Sequence, residues 1–160
     1  MFTHEPPQYS CLICQIISEA KAIPIPPASD VIYQDELITA FLGIWHWPKI
    51  PVDILVVPNQ HIENIYCFPC HLAPDFQRVT RAMALTLKTV YQCDGVSTRQ
   101  HNEPAGDQDV WHYHLHVIPR FDEDNFCKSD RILLPDHERL EHARHLREYI
   151  ATSRIALFTE

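Results

Sequence analysis

The chain has 160 residues, 46% of them hydrophobic, and its 21 acidic against 13 basic side chains give a formal net charge of -8. This size and apolar content suit one domain with a substantial core and argue against intrinsic disorder. The sequence contains no run of basic residues, which argues against non-specific binding to nucleic acid. We therefore expect any small anionic ligand to be held locally, by histidines and backbone N–H groups.

The N-terminal region gives no sign of export. Residues 1–10 form a polar, proline-containing lead without the basic start and apolar centre of a signal peptide. No apolar run approaches the roughly 20 residues that a membrane helix needs. Six cysteines without an export signal favour thiols or metal ligands over a disulfide framework. These features predict a cytoplasmic protein that does not bind a membrane.

The first part of the chain alternates short apolar segments with turns. We expect one or two helical turns carrying a Cys-x-x-Cys, then an extended proline-rich linker, because proline cannot continue a helix. Two strands joined by a tight turn, an aromatic loop and a central, strongly apolar strand should follow. These elements are predicted at 11–18, 22–27, 31–33 with 37–42, 43–51 and 54–58.

The second part of the chain predicts two helices and two further strands. Apolar residues at steps of three and four mark a long helix that begins near Pro74 and ends before Asp94-Gly95. A strand at 96–101, a turn-rich loop at 102–108 and a histidine-containing strand precede a last helix capped by Asp136. The fold class is therefore α+β, with a mostly antiparallel sheet of about five strands, one long helix and a C-terminal helix. The expected inward-facing residues are Phe76, Val79, Met83, Leu87 and Val90 on the long helix and Leu140, Ala143, Leu146 and Ile150 on the last helix; His137, His142 and His145 should be solvated.

Three histidines alternate with large apolar or aromatic residues in the stretch 111–120. In a strand, His112, His114 and His116 share one face, and the intervening side chains can pack against helices. A polar strand face that merely meets water suits one histidine better than three in register. Such a row can hold a metal, or one imidazole can attack phosphorus while its neighbours donate hydrogen bonds. Spacing alone leaves these two interpretations open.

The surrounding residues resemble the histidine triad (HIT) family of nucleotide hydrolases and transferases. The histidine run with its preceding loop 102–110 carries the likeness, together with Cys11-Leu12-Ile13-Cys14, Phe41-Leu42-Gly43-Ile44 and Val56-Val57-Pro58-Asn59-Gln60-His61. These ordered motifs cover roughly residues 10 to 121. The resemblance implies a single HIT-like domain over 1–160, with 1–10 as a lead and 122–160 as a helical extension. It also implies a homodimer across which the strands extend.

The resemblance implies hydrolysis at the α-phosphorus of a nucleotide derivative. The family's nucleophile is the middle histidine, so His114 would become transiently nucleotidylated. His116 would hydrogen-bond a phosphate oxygen and assist the leaving group and the incoming water. The transferase branch has glutamine at that third position, so His116 favours hydrolysis. Candidate substrates are phosphoramidates, adenylates and dinucleoside polyphosphates.

The expected substrate-binding residues include several departures from the family pattern. Many members have Asp or Asn, which bonds the ribose, where this chain has Gly43. They usually have glycine in place of Asp107 and Ser or Thr in place of Asp109. A carboxylate cannot donate a hydrogen bond to phosphate, and strand parity places Asp109 on the side opposite the histidines unless the loop turns it back. The implied substrate-binding set is Phe41, Gly43, Ile44, Asn102 and Gln108.

Some members of the family hold a structural zinc with a Cys-x-x-Cys and two histidines. The matching residues here are Cys11, Cys14, His61 and His112, and two thiolates with two imidazoles close a tetrahedral shell. Two buried thiols are the simpler interpretation of an isolated Cys-x-x-Cys. No catalytic cofactor is expected. The other cysteines, at 67, 70, 93 and 127, are interpreted as ordinary thiols.

Two rival functions remain open at this point. The first is a nucleotide-binding or scaffold protein with the same fold and little turnover. The second is a metal-dependent enzyme in which His112, His114 and His116 together bind one catalytic ion.

Overall fold

The fold is built on a five-stranded sheet in which every pair of neighbouring strands is antiparallel. The strands are β1 Val31–Gln34, β2 Ile38–Leu42, β3 Trp45–His46, β4 Ile54–Pro58, β5 Gly95–Gln100, β6 Leu115–Arg120 and β7 Ile132–Leu133. The main sheet has the order β1-β2-β4-β6-β5, and β3 pairs with β7 separately. The computed structural model describes residues 2–20, 29–126 and 128–159. The linker predicted at 22–27, and Cys127, lie outside them.

The predicted hairpin and central strand are confirmed. Asp35 closes the turn between β1 and β2, since its Oδ1 accepts the backbone N–H groups of Leu37 and Ile38 at 2.9 and 2.8 Å. The apolar strand β4 lies in the middle of the sheet, between β2 and β6. The aromatic segment 43–51 was expected to be a loop, but it contains the short strand β3.

The histidine stretch is a strand over a shorter length than its alternation predicts. β6 begins at Leu115, so His112 and His114 precede it in irregular chain. The reason lies in β4: continuing its register with β6 would place Pro58 opposite Tyr113, and proline has no N–H for the ladder. Tyr113 instead donates its N–H to the carbonyl of Ile62.

The two faces of the sheet have different roles. Tyr113, Leu115 and Val117 point into the main core, as predicted, where they pack with α2 Ala73–Tyr91 and α3 Asp136–Phe158. On the opposite face, α1 Leu12–Ala20 packs over Phe41 and Val57 in a smaller cluster. Because α1 is short, it leaves the part of this face that carries the histidines open.

The two long helices show the predicted apolar stripes. On α2, Phe76, Val79, Met83 and Leu87 are buried and Val90 packs against them; on α3, Ala143, Leu146 and Ile150 are buried and Leu140 is half-buried. α3 begins at Asp136, whose carboxylate forms an ion pair with Arg139 one turn later. None of the helices in the described ranges is long and apolar enough to cross a membrane.

One of the three histidines expected to be solvated is not. His137 and His145 are exposed, but His142 is half-buried and its Nδ1 lies 2.9 Å from the hydroxyl of Tyr91. Burial lowers the pKa of His142 and raises that of Tyr91. The contact joins α2 to α3 at the edge of the core.

The core predicts a measurable difference between two positions on α2. Met83 is fully buried, whereas Leu85 is 38% exposed. Met83→Ala should lower the free energy of unfolding by about 2–5 kcal/mol, since it leaves a cavity in a close-packed interior. Leu85→Ala, the matched control, should change it by about 0.5 kcal/mol. Urea unfolding followed by circular dichroism measures both, and equal losses would contradict this account of the core.

Candidate active site and metal centre

A cavity of about 830 Å³ opens on the histidine-bearing face of the sheet. His114 and His116 line it near the middle of the sheet. Phe41 lines it towards β1 and Arg99 towards β5, following the strand order. Its other walls come from α1, the segment after β2, the loop before β6 and residues 129–131. The cavity is large enough for a nucleotide-sized molecule.

His114 is held in one tautomer. Its Nδ1 lies 2.6 Å from the backbone carbonyl of His112, and a carbonyl can only accept, so Nδ1 carries the proton. The Nε2 atom therefore keeps a free lone pair. Burial lowers the pKa of His114 to about 4, although the bond to His112 and the charge of Asp109 act in the opposite direction. At neutral pH this side chain is an uncharged imidazole bordering the cavity, which is the form a nucleophile requires.

His116 has a different partner. Its Nδ1 lies 2.8 Å from Oδ2 of Asp53, a buried carboxylate just before β4. Burial raises the pKa of Asp53, while His116, Arg131 and Arg99 act against that effect. The rings of His114 and His116 are 5.2 Å apart, and the ring of His101 lies 5.9 Å from His116. The cavity thus contains two neighbouring imidazoles with unlike partners.

The expected nucleoside-binding residues border the cavity. Phe41, Gly43 and Ile44 all line it, and Leu12 and Ile16 of α1 add apolar surface. Gly43 lies close to its neighbours: an added Cβ would come within 2.9 Å of Cδ1 of Leu55. A larger residue at this position would therefore have to displace a side chain of the cavity wall.

The loop before β6 is arranged differently from the expectation. Gln108 borders the cavity, but its Nε2 donates to the carbonyls of Glu63 and Val110, at 2.6 and 3.0 Å. Asn102 is not among the lining residues, and its amide bonds Gln100 and the N–H of Ile65. In the structure both side chains hold the loop in place.

Asp109 faces the cavity together with Asp107. Strand parity predicted the opposite side for Asp109 unless the loop turned it back, and the loop does so, because residues 109–114 are not part of the strand. Asp107 has a left-handed backbone with φ of 66°, which a non-glycine residue seldom adopts. Two carboxylates therefore stand at a wall where a phosphate donor was expected.

A second group of chemically active side chains lies beside the cavity. One donor atom from each of Cys11, Cys14, His61 and His112 lies within 4.8 Å of the others. Cys11 Sγ is 3.4 Å and Cys14 Sγ 3.5 Å from Nδ1 of His112, and Cys14 Sγ is 3.3 Å from Nδ1 of His61. Zinc–ligand bond lengths give a sulfur–nitrogen edge of about 3.6 Å in a tetrahedral site. The four residues therefore fit a Cys2His2 zinc site.

The outer contacts of this group also fit a metal centre. His112 donates Nε2–H to the carbonyl of Pro58 at 2.9 Å, and His61 Nε2 lies 2.7 Å from a carboxylate oxygen of Glu5. Both rings thereby direct the Nδ1 lone pair into the cluster, as in carboxylate–histidine–zinc arrangements. Burial, with the nearby Cys11 and Glu5, raises the pKa of Cys14 to about 12, an effect that a bound cation would reverse.

This arrangement argues against a single ion held by all three histidines of the triad. His112 directs Nδ1 to the cysteines and Nε2 to Pro58, so neither nitrogen remains for an ion shared with His114 and His116. The first histidine belongs to the cluster, and the other two belong to the cavity.

Sequence reasoning did not single out five charged residues that line the cavity: Asp30, Asp53, Arg99, Asp130 and Arg131. Asp53 is an isolated acid directly before the most apolar strand, and Arg99 is the direct cross-strand partner of His116 in the pairing of β5 with β6. Once the pairing of β4 and β5 with β6 is known, parity places both on the histidine face. Arg131 lies in a segment without periodicity, so no sequence signal points to it.

Comparison with known proteins agrees with this geometry. The HIT domain family profile matches residues 27–123. The Bacillus subtilis protein named "Protein hit" is 36% identical over 112 residues, which are 70% of this chain and 72% of that protein. The purine nucleoside phosphoramidase of Escherichia coli K12 is 32% identical over 94 residues, 56% of this chain and 75% of the enzyme.

Among solved structures, a Zn-bound histidine triad family protein from Mycobacterium smegmatis superposes with a TM-score of 0.73. It is 28% identical, and the match covers 92% of this chain and 97% of that one. Fold, site and profile together define a histidine-triad protein, and the chain belongs to the HIT family. Its Cys11, Cys14, His61 and His112 cluster fits the zinc-binding kind within that family.

Proposed function

We propose that this protein is a nucleotide hydrolase that acts at the α-phosphorus through a covalent nucleotidyl intermediate on His114. The observation that carries the proposal is the state of His114: an uncharged imidazole that lines the cavity next to His116, with Nδ1 held by a carbonyl and Nε2 without a hydrogen-bond partner among the described residues. The relationship to an Escherichia coli purine nucleoside phosphoramidase supports an enzyme of the hydrolase class.

In the proposed reaction the nucleoside occupies the apolar part of the cavity, between α1, Phe41 and Ile44. Nε2 of His114 attacks the α-phosphorus, and the bond from phosphorus to the leaving group breaks with its electron pair on that group. Water then attacks the same phosphorus, and the bond to Nε2 breaks with its electron pair returned to the imidazole. His116 hydrogen-bonds a phosphate oxygen and assists both steps.

Nucleoside phosphoramidates are the first substrate class to test. Asp107 and Asp109 put negative charge on the cavity wall, which disfavours a leaving group with several phosphates. Because a carboxylate cannot donate a hydrogen bond to phosphate, Asp109 would also slow the reaction, which is the argument for the second candidate function, a nucleotide-binding protein of this fold with little turnover.

We further propose that Cys11, Cys14, His61 and His112 hold one structural zinc. The ion would join α1 to the segment just before His114, since His112 and His114 are two residues apart. When bound, the metal supplies a fixed crosslink, and the reaction itself takes place on His114 and His116.

The wider assignments follow the resemblance. We propose that residues 1–160 form one HIT-like domain, that two copies associate as a homodimer and that the protein acts in the cytoplasm on small nucleotides. Residues 4 and 5 of the lead contact Glu63 and His61, which supports including the lead in the domain. The contacts of α3 with α2 and β1 support including the last helix.

The nucleophile assignment predicts a covalent adduct. Rapid quenching with adenosine 5′-phosphoramidate, followed by intact-mass analysis, should show a protein heavier by one nucleotidyl group. His114→Ala should abolish the adduct and lower kcat/KM on the order of 10³-fold or more, because no other neutral imidazole replaces it. His137→Ala, an exposed histidine on α3, is the control. Wild-type turnover without an adduct, or an active His114→Ala, would refute the mechanism.

The metal assignment predicts about one zinc per chain in protein purified without chelators. Cys14→Ser should reduce the zinc content well below one and lower the unfolding temperature by roughly 5–15 °C, because the crosslink is lost. Cys70→Ser, an exposed cysteine outside the cluster, should change neither. Elemental analysis and differential scanning calorimetry measure these effects, and metal-free wild type with unchanged stability would rule the site out.

The outer contact of His61 predicts an effect of the N-terminal lead on metal affinity. Glu5→Gln removes the carboxylate that accepts Nε2–H of His61 and should weaken zinc binding about 10- to 100-fold. Competition with a chromophoric chelator measures the affinity directly. Glu36→Gln, in the exposed turn between β1 and β2, is the control. An affinity change of less than about twofold would show that Glu5 does not support the ligand.

A further inference from the structure

We propose that Asp53 is a positioning residue that keeps His116 in its protonated, imidazolium form and directs Nε2–H to the leaving group. The proposal rests on the hydrolase function above and deepens it. It explains why two neighbouring histidines of one cavity would perform different chemistry, the first as nucleophile and the second as acid.

Asp53 is buried, and its side chain forms a hydrogen bond with His116. Its side chain is 6% exposed, and its Oδ2 lies 2.8 Å from Nδ1 of His116. Its backbone carbonyl accepts the N–H of Gly43 at 2.8 Å, which ties the residue to the end of β2. Its other oxygen, Oδ1, has no hydrogen-bond partner among the described residues. The contact with His116 is thus the one hydrogen bond of this carboxylate in the described part of the chain.

A carboxylate in such surroundings favours a cation beside it. Burying an unpaired carboxylate is costly, and an imidazolium in direct contact offsets part of that cost. His114 has a neutral carbonyl in the equivalent place, which fixes its tautomer and supplies no charge. The two imidazoles therefore differ in the charge of the group at Nδ1, while Nε2 of each ring has no hydrogen-bond partner in the described part of the chain.

Other charged and titratable groups also surround the pair. His114 lies on the same chain segment, His101 on the loop after β5, Arg99 on β5, and Arg131 before β7. Asp109 contributes negative charge on the side of His114. The arginines oppose a cationic His116 and also favour an ionised Asp53. Within the described residues neither arginine forms a hydrogen bond or an ion pair with His116, whereas Asp53 contacts it at 2.8 Å, so Asp53 has the stronger influence on the charge of His116.

In this reaction His116 gives up one proton and later regains one. As the bond from phosphorus to the leaving group breaks, the leaving group takes the Nε2 proton of His116, which becomes neutral. In the second step the same Nε2 accepts a proton from the attacking water, and the imidazolium is restored. Asp53 keeps its hydrogen bond to Nδ1 throughout and never touches the substrate.

The test compares two leaving groups in wild type and Asp53→Asn. A nucleoside phosphoramidate must have its amine protonated, whereas a p-nitrophenyl nucleotide releases a phenolate that needs no proton. Asp53→Asn preserves the shape and removes the charge. It should lower kcat/KM about 10²-fold for the phosphoramidate and less than about fivefold for the p-nitrophenyl ester. Asp122→Asn, an exposed carboxylate outside the cavity, controls for loss of a negative charge.

Two further measurements separate positioning from folding. The alkaline limb of the phosphoramidate pH profile should move to lower pH by about one unit or more in Asp53→Asn, because the nearby opposite charge is gone. His116→Gln should show the same leaving-group selectivity, and adding Asp53→Asn to it should cost little more, since both changes remove one function.

Equal losses on both substrates, with an unmoved pH profile, would overturn the role of Asp53. In that event a His114 adduct formed by Asp53→Asn from the p-nitrophenyl ester would leave the hydrolase mechanism intact. Failure of the hydrolase proposal has a separate signature, the lack of both adduct and turnover in wild-type protein.

Discussion

The antiparallel pairing of β4 with β6 determines the position of nearly every chemical group in this protein. The register opposes Leu55 to His116 and Val56 to Leu115, so alternate side chains of the two strands share a face. On that face Asp53, at the start of β4, reaches His116. At the other end, Pro58 stops the ladder and accepts a hydrogen bond from His112. One strand pair thus separates the triad into a ligand of the cysteine cluster and two imidazoles of the cavity.

Inside the cavity, the neighbours of each charged side chain matter more than the negative net charge of the chain. The chain carries a net charge of -8, and Asp53, Asp107 and Asp109 line the cavity. Arg99, Arg131 and the histidines can offset this negative charge. In the described part of the chain, neither arginine has a carboxylate within ion-pair distance. Burial keeps His114 uncharged, while a carboxylate faces His116. The two imidazoles therefore have different immediate surroundings within one cavity.

The features that were predictable from sequence are those with a periodic or ordered signal. The α2 stripe, the β1–β2 turn at Asp35 and the central β4 follow from local patterns, and the structure confirms them. The convergence of Cys11 and Cys14 with His61 and His112 was anticipated through the resemblance and not through spacing. The shortened β6, the inward Asp109 and the Asp53 contact depend on the pairing register and on a proline's missing donor, which emerge only when distant strands meet.

The cysteine cluster joins segments that are far apart along the chain. Cys11 and Cys14 lie about fifty residues before His61, and His112 lies about fifty residues after it, so the group closes two long loops at once. In the native fold His61 follows β4 and His112 precedes β6, so a metal held there would secure the end of this strand pair. It would lengthen the lifetime of the native state by slowing unfolding, with little influence on how fast the sheet first forms.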